Sequence, residues 1–337
     1  MAYECKNVVG VLEGSGPLAD ETVVIGAHYD HVGYGDFGSL GGAKAAGKIH
    51  FGADDNASGT SALMELARRY GAEKDRKGRR LVLVAFSGEE RGLFGSIHYC
   101  KQPPFPLDKT AAMINLDMVG RVKAVSDDWL GVWPDAPQKD KLDVFGTGTS
   151  SAFAKLVQGA GEKLGFRLYT HPEGTGPSDH DSFYRKRVPV LFLFSGYHNE
   201  YHRPTDKPET INVPGLLKVV EFTRELADHA LAVPQKPDYI VVHSRAPGGG
   251  PKGPRMGVLP DYNFEGENGM RLQGVSPDGP AEKGGLKEGD VVVEIAGKPI
   301  KNVTGYMTVM SAQKAGTPLD VVVMRKGQKL TIKVTPE

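Results

Sequence analysis

Cysteine is nearly absent from this sequence, because its 337 residues include only Cys5 and Cys100. A disulfide scaffold needs several pairs and a cysteine-ligated zinc finger needs more than two thiolates, so both classes are excluded. A surplus of charge is also absent, since 41 Lys and Arg residues balance 41 Asp and Glu residues. Proteins that follow a nucleic-acid backbone carry a basic excess, so we expect no nucleic-acid partner.

Long apolar runs are missing as well. None approaches the roughly 18–20 residues that cross a bilayer, so we expect no membrane segment in this chain. The start, Met1–Lys6, lacks the basic and then apolar layout of a signal peptide. Glycine and proline are abundant instead, with 44 and 23 residues, and they predict many turns and loops. The length and the 39% hydrophobic content indicate a globular chain of two domains.

Strand-like runs alternate with helical patterns as far as residue 233. Thr22–Ala27 and Arg80–Phe86 predict buried strands, whereas Ser58–Tyr70 has the three-and-four apolar spacing of an amphipathic helix. The alternation predicts an α/β fold, a three-layer αβα sandwich with a mixed, largely parallel central sheet. We also expect strands at Val8–Leu12, Ala112–Leu116 and Val188–Phe194, and helices at Gly92–Tyr99, Ser151–Leu164 and Val213–Ala232.

The composition changes after residue 233. Residues 234–254 are rich in proline and glycine, which predicts a linker between a first domain at 1–233 and a second domain at 255–337. Tyr239–Ser244, inside this linker, is a candidate strand that the pattern assigns to neither domain. The second domain is expected to be small and β-rich, with strands at Gly269–Val275, Asp290–Ile295, Leu319–Arg325 and Leu330–Val334.

Metal-ligand side chains follow several of the predicted strands, and this is the edge where open α/β sheets bind ligands. They are His28 and Asp30 after one strand, Asp54 and Asp55 opening a helix, Glu89 and Glu90 after the next strand, Asp117 ending another, and His202 in a later loop. Two imidazoles and three or four carboxylates suit a pair of Zn²⁺ ions. Three carboxylates and one hydroxide would balance the charge of two such ions. Taken singly, each residue has an ordinary alternative, such as Asp54 serving as a helix cap.

The order of the motifs resembles the M28 family of zinc aminopeptidases over most of residues 7–232. The segments that carry the resemblance are Gly26–Asp30, Gly52–Gly59, Glu89–Ser96, Ile114–Gly120 and Ser178–His180. The resemblance implies two zinc ions. One would be held by His28 and Asp117, the other by Glu90 and His202, and Asp54 would bridge them.

The same resemblance assigns further roles. Glu89 would be the general base, and Asp30 would orient the His28 ring by accepting its other N–H group. A cis peptide bond is implied between Asp54 and Asp55. His180 is a candidate substrate contact, with a purely structural role as the alternative. His198 is set aside in favour of His202. The stretch Gly174–Pro177 lacks the tyrosine that some family members place there, so the donor for the oxyanion is unassigned.

Residues 255–337 resemble a PDZ domain. The turn, short helix and strand at Ser276–Asp290 and Val291–Gly297 carry this resemblance. It implies that Met256, Gly257 and Val258 form a loop whose N–H groups capture the C-terminal carboxylate of a peptide, which would add to the sheet as an extra strand. The alternative is a small β domain that binds no ligand.

The function that we expect is removal of N-terminal residues from peptides by a two-zinc exopeptidase of secreted type. The parent protein is expected outside the cytoplasm, secreted or periplasmic. A first alternative is an acyltransferase like glutaminyl cyclase with a single zinc, which His28 argues against because it supplies a second metal position. A second alternative is a non-catalytic peptide-binding scaffold led by the PDZ domain, which the complete ligand set and Glu89 argue against.

Overall fold

The structure is a computed structural model that describes residues 4–126, 138–242, 254–261, 264 and 269–337. The chain divides into two compact units, Met1–Val242 and His243–Glu337. Within the described residues, no helix combines the length and apolar character that a membrane crossing requires. Both cysteines are free thiols, with Cys5 exposed and Cys100 buried.

The first unit is built around an eight-stranded sheet. Its strands are β1 Val8–Leu12, β2 Thr22–His28, β3 Arg80–Phe86, β4 Thr110–Leu116, β5 Ala124–Ser126, β6 Gln138–Phe145, β7 Phe166–His171 and β8 Val190–Phe194. Their order is β1-β3-β2-β4-β8-β6-β5, with β7 beside β6. The central strands β3, β2, β4 and β8 are parallel, whereas β1, β5 and β6 pair antiparallel with β3, β6 and β8. The sheet is therefore mixed and largely parallel at its centre, as the sequence predicts.

Helices cover both faces of this sheet. They are α1 Gly59–Gly71, α2 Phe94–Lys101, α3 Phe153–Leu164, α4 His180–Tyr184 and α5 Val213–Ala232. Side chains alternate between faces along a strand: Val23 and Ile25 of β2 pack with α1, α3 and α5, whereas Val24 packs with α2 and α4. A strand buried on both faces is typical of a sheet between two helical layers, and the three-layer prediction is confirmed.

The first nine residues of the expected linker belong to the first unit. The Ile240 N–H donates to the Thr149 carbonyl at 2.8 Å, and the Val242 N–H donates to the Tyr184 hydroxyl oxygen at 2.8 Å. Residues 239–242 run as irregular chain, so the candidate strand at 239–244 does not form over this part. The rest of that candidate strand, and linker residues 243–253, lie outside the described residues.

The second unit contains a six-stranded antiparallel sheet in the order β14-β13-β11-β10-β9, with β12 beside β11. Its elements are β9 Val258–Pro260, β10 Met270–Val275, α6 Pro280–Gly284, β11 Val291–Ile295, β12 Lys298–Pro299, α7 Val303–Ser311, β13 Leu319–Arg325 and β14 Gln328–Val334. Asp290 is fully buried, and the Arg325 guanidinium binds both of its oxygens at 2.6 and 2.7 Å. The unit also has a small apolar core of its own, as expected for a small β-rich domain.

Candidate metal centre

The residues with metal-ligand chemistry meet at one edge of the first sheet. Strands β2, β3, β4 and β8 run parallel, so their carboxyl ends lie together. His28 ends β2, Asp117 directly follows β4, and the turn after β3 carries Glu89 and Glu90. The turn at Ala53–Ser58 precedes α1, and His202 lies in the loop between β8 and α5. Topology thus brings together five separate chain segments.

His28 presents an unprotonated nitrogen to two carboxylates. Its Nδ1 lies 3.1 Å from the Asp30 carbonyl oxygen, which can only accept, so Nδ1 carries the proton. In the neutral ring Nε2 is then bare, yet it lies 3.3 Å from Asp55 Oδ1 and 3.3 Å from Asp117 Oδ1. The ring is 1% exposed, so water does not screen this repulsion. A cation or a proton is needed between these atoms.

His202 repeats the arrangement from the other side. Its Nδ1 lies 2.7 Å from the Gly38 carbonyl oxygen, which leaves Nε2 facing Asp55 Oδ2 and Glu90 Oε2, each at 3.1 Å. Burial alone would lower the pKa of His202, but hydrogen bonds and charges from Asp55 and Glu90 raise it to about 10. The pKa of His28 is likewise raised well above its ordinary value, against the effect of burial, mainly by the Asp117 and Glu89 charges. Both positions therefore attract positive charge.

Asp55, rather than Asp54, lies between the two histidines. Asp55 Oδ1 faces His28 and Oδ2 faces His202, whereas Asp54 accepts from the Gly120 N–H at 2.7 Å and lies 3.2 Å from His198 Nε2. The backbone at Asp55 is not helical, with φ −106° and ψ 91°, and the two neighbouring side chains reach different partners. We expected Asp54 in this position between the histidines, and the structure places its neighbour Asp55 there instead. The cis peptide bond is displaced in the same way and joins Asp55 to Asn56.

The turn that carries Asp55 is fastened to the segment that carries Asp117. The Asn56 side chain donates to the Leu116 carbonyl at 2.9 Å and accepts from the Met118 N–H at 3.2 Å. Asp206 holds the turn from another side, because its Oδ2 accepts from the N–H groups of Asp54 and Asp55 at 2.9 and 3.1 Å. Asn56 therefore binds on both sides of Asp117, which fixes Asp55 and Asp117 relative to each other.

Asp30 supports the site differently from the expected role. Its carbonyl, not its carboxylate, accepts from His28, since His28 Nδ1 is 3.7 Å from Asp30 Oδ1. The carboxylate accepts instead from the N–H groups of Glu89 and Glu90, at 3.1 and 3.3 Å. Asp30 thereby fixes both the His28 tautomer and the turn that presents the two glutamates.

Glu89 and Glu90 occupy different positions in the cluster. Glu90 contacts His202 through Oε2 and His31 Nδ1 through Oε1, the latter at 3.0 Å. Glu89 instead lies beside His28 and Asp117. One potential ligand atom from each of these three residues lies within 4.8 Å of the other two. Burial, assisted by the charges of Asp117, Asp179 and Glu90, raises the pKa of Glu89 well above its ordinary value despite the opposing effect of His28. A carboxyl group with a raised pKa suits proton transfer near neutral pH.

His180 lies in the protein interior. Its ring is fully buried and stacks on Phe192, with 4.4 Å between ring centroids, and burial lowers its pKa to about 4. Because the ring exposes no surface and its face is covered by Phe192, the structure favours the structural alternative over the expected substrate contact. The nearby Ser178 acts on the site more directly, because its hydroxyl donates to Asp117 Oδ2 at 2.7 Å.

The structure adds three residues that the sequence analysis did not single out. His31 Nδ1 lies 3.0 Å from Glu90 Oε1 and 3.7 Å from Asp55 Oδ2. Its position three residues after His28 was the feature of the sequence that could have indicated it. The Tyr201 ring packs against His202 with 3.9 Å between ring centroids and the ring planes tilted by 30°, and Tyr197 packs against Tyr201. Burial, with the carboxylate charges of the site, raises the pKa of both tyrosines, so they remain neutral O–H donors.

In the second unit, the expected peptide-binding loop precedes the edge strand β9. The carbonyl oxygens of Met256 and Gly257 accept from the N–H groups of Ala281 and Ser276, at 2.8 and 2.7 Å. Gly257 has φ +70°, a left-handed conformation that favours glycine. Val258 begins β9, which pairs with β10 at the end of the sheet order. The loop is thus fixed at a sheet edge, which is where an added strand would pair.

The fold and the cluster define an α/β protein with a candidate metal centre at the carboxyl edge of its sheet. A family model for peptidase family M28 matches residues 7–227, and one for the PDZ domain matches residues 254–335. The chain therefore belongs to peptidase family M28, whose zinc aminopeptidases are its relatives, and carries a PDZ domain after the peptidase domain.

Individual relatives agree with this assignment. The chain is 28% identical over 250 residues to aminopeptidase YwaD of Bacillus subtilis, covering 72% of this chain and 48% of that protein. The structure of a zinc aminopeptidase from Bacillus subtilis aligns with TM-score 0.51 and 26% identity, over 69% of this chain and 52% of that one. A Porphyromonas gingivalis glutaminyl cyclase shares the fold, with TM-score 0.52 and 21% identity, over 66% of this chain and 77% of that one. The chain spans about half the length of the two aminopeptidases.

Proposed function

We propose that this chain is an aminopeptidase that uses two zinc ions and Glu89 as general base to hydrolyse the first peptide bond of its substrates. The observation that carries the proposal is the pair of histidines whose bare Nε2 atoms face the two oxygens of one carboxylate, Asp55. The aminopeptidase activity named for its relatives supports the direction of cleavage.

The residues present fit two zinc ions. His28 and Asp117 would hold one, His202 and Glu90 would hold the other, and Asp55, which faces both histidines, would contribute to both. The donors are nitrogen and carboxylate oxygen, which zinc accepts. The Nε2 atoms of His28 and His202 are buried and have no hydrogen-bond partner among the described residues, which fits nitrogens that bind a cation. When bound, the ions would polarise the scissile carbonyl and make a water acidic near neutral pH.

The protein's own groups would move the protons. Glu89 lies beside His28 and Asp117 but outside the pairs of contacts that define the two metal positions. Its carboxylate would take a proton from the attacking water and deliver it to the departing amine. The raised pKa of Glu89 favours holding that proton between the two transfers. Asp30 would keep Glu89 in place through its hydrogen bond to the Glu89 N–H.

Metal analysis combined with a substrate series tests this proposal. The purified chain is expected to hold two zinc ions, to lose activity on chelation and to recover it when zinc returns. It should release the first residue of peptides with a free amino terminus and leave their N-acetylated counterparts intact. Cleavage of the acetylated series at its carboxyl end would contradict the direction. One tightly bound zinc with full activity would contradict the two-ion centre.

Glutaminyl cyclisation is the second candidate, because a cyclase shares the fold. The second metal position, built by His28, Asp55 and Asp117, favours hydrolysis over single-zinc chemistry. A peptide that begins with glutamine separates the two functions. Release of free glutamine supports the peptidase, whereas release of ammonia with a blocked product supports the cyclase.

The PDZ domain, we propose further, binds the C-terminal end of peptides through Met256, Gly257 and Val258. Such a module binds one end of a peptide and leaves the amino end free for the peptidase, raising the local peptide concentration.

A chain ending at Val242 should hydrolyse single-residue amides like the full chain but show a higher KM for long peptides with apolar C-terminal residues. Amidation of the peptide's carboxyl end should remove the difference. Equal KM values for both chains would contradict a role in substrate capture.

The expected secreted or periplasmic location of the parent protein stays a prediction. Fractionation of the source cells, followed by detection with an antibody to this chain, would test it.

A further inference from the structure

The segment between His31 and Gly52 makes two contacts with His202. The His202 ring donates from Nδ1 to the Gly38 carbonyl at 2.7 Å, and the Leu40 N–H donates to the His202 carbonyl at 2.9 Å. His202 is therefore bound by both its ring and its backbone, through the residues on either side of Ser39.

Ser39 is held by a buried histidine from the end of the same segment. His50 Nδ1 lies 2.9 Å from the Lys48 carbonyl oxygen, so Nδ1 carries the proton and Nε2 of the neutral ring accepts. The Ser39 hydroxyl donates to this Nε2 at 2.8 Å and accepts from the Gly41 N–H at 3.2 Å. The His50 ring is 3% exposed, which makes this a shielded contact in a segment that has little regular structure.

The surrounding backbone is shaped around the His50 ring. Gly35 has φ +77°, and a Cβ there would lie 2.4 Å from His50 Cε1. The His50 N–H donates to the Gly33 carbonyl at 2.8 Å, and the Gly47 N–H donates to the Tyr34 carbonyl at 3.1 Å. These backbone hydrogen bonds join the two ends of the segment, the His50 ring links the joined ends to Ser39, and Ser39 lies between the two residues that bind His202.

We propose that Ser39 and His50 are positioning residues that fix the ring of His202 through Gly38 and Leu40. Neither residue would bind metal or substrate. Their hydrogen bond would keep the Gly38 carbonyl in line with His202 Nδ1, and so keep Nε2 aimed at Asp55 and Glu90. The consequence for zinc binding rests on the proposed function, whereas the consequence for the His202 hydrogen bond does not.

Proton exchange at the histidine rings tests the proposal on the full chain without metal. The Nδ1 proton of His202 is observed by long-range proton–nitrogen NMR and assigned by its loss in His202→Asn. Ser39→Ala should speed its exchange with water roughly two- to tenfold, the effect of one hydrogen bond. The His28 Nδ1 proton, bound to the Asp30 carbonyl, should keep its rate and serves as the internal control.

Matched variants separate positioning from a general loss of stability. Ser39→Thr retains the hydroxyl and should restore the wild-type rate, and Ser61→Ala, an exposed serine on α1, should change neither proton. His50→Ala should reproduce Ser39→Ala; if His50→Ala does not fold, the Ser39 pair decides alone. The proposal would be overturned if exchange of the His28 and His202 protons accelerated equally or not at all. It would also be overturned if Ser39→Thr did not restore the wild-type rate.

Zinc titration followed by calorimetry then connects the contact to the centre. Ser39→Ala should weaken, by about tenfold, only the binding event that His202→Asn removes. Equal weakening of both events, or of neither, would overturn the positioning role. Absence of zinc binding by the wild-type chain would contradict the proposed function instead, and the exchange result would still decide the contact.

Discussion

The two candidate metal positions are built in different ways. His28 ends β2 and Asp117 follows β4, and these neighbouring strands are hydrogen-bonded in the centre of the sheet. His202 and Glu90 come from loops, and His202 adopts φ +54°, a left-handed conformation that costs a histidine about 1 kcal/mol. The first position is fixed by the sheet itself, whereas the second depends on contacts among loops.

The difference explains where the supporting residues lie. Around His202 and Glu90 the supports are numerous, because Gly38 and Leu40 bind His202 while His31 and Asp30 bind Glu90. Asp55 belongs to both positions, because Asn56 fastens its turn to the strand-borne segment and Asp206, in the loop that carries His202, accepts from the Asp55 N–H. We therefore expect substitutions in the loops to affect one zinc ion, and substitutions of Asp55 to affect both.

Asp55→Asn should have the largest effect, because it removes the charge shared by both positions. We expect both zinc affinities to fall by more than about 100-fold, beyond the roughly 10–100-fold typical of residues that only support a ligand. Activity should fall below detection with zinc at stoichiometric concentration. Calorimetric titration of the metal-free protein measures both affinities.

Asp54→Asn is the matched control for this change. Its side chain can still accept from the Gly120 N–H, so both zinc affinities should stay within about threefold of wild type. Loss of both ions in Asp54→Asn, with both retained in Asp55→Asn, would restore the bridging role to Asp54.

The adjacent glutamates separate proton transfer from metal binding. Glu89→Gln should keep both zinc ions and lower kcat by roughly 10²–10⁴, the usual contribution of a positioned general base. Glu90→Gln should instead weaken the zinc ion held with His202 and leave the other unchanged. For both variants, kcat is measured at saturating zinc and the bound zinc is counted. If Glu89→Gln lost zinc while Glu90→Gln kept both ions and lost kcat, the two roles would be reversed.

His31→Gln should produce a smaller effect, confined to the loop-borne position. It removes an imidazole that contacts Glu90 Oε1 at 3.0 Å, so the affinity for the zinc ion at Glu90 and His202 should fall about tenfold. The affinity at His28 and Asp117 should not change. His171→Gln, at the end of β7 and paired with Asp143, is the matched control and should leave both affinities as they are. Equal loss at both positions would mean that the loop and strand positions do not respond independently.

The sequence predicted the strand-borne half better than the loop-borne half for a physical reason. Buried central strands such as β2 and β4 are continuous apolar runs, and their ends locate His28 and Asp117. β6 was missed because it opens with polar, partly exposed residues, Gln138 to Lys141. Asp54 and Asp55 are the same residue type in one turn, so which of them faces the histidines depends on backbone conformation. The support from Gly38 is a carbonyl group, which every residue has and no sequence pattern marks.

The smallest effect concerns a contact that reaches the strand-borne half from outside the sheet. Tyr184 ends α4, the helix that follows Ser178, and the segment after α5 binds it. The Tyr239 hydroxyl donates to the Tyr184 carbonyl at 3.1 Å, and the Val242 N–H donates to the Tyr184 hydroxyl oxygen at 2.8 Å. A chain ending at Val233 should be less stable than one ending at Val242 by about 2–3 kcal/mol, or roughly 4–12 °C in Tm.

The zinc affinity at His28 and Asp117 should differ less than threefold between the two chains, because β2 and β4 hold these residues without the segment. Thermal unfolding and zinc titration of both chains measure this, and a large loss of that affinity in the shorter chain would show that the strand-borne position also depends on distant loops.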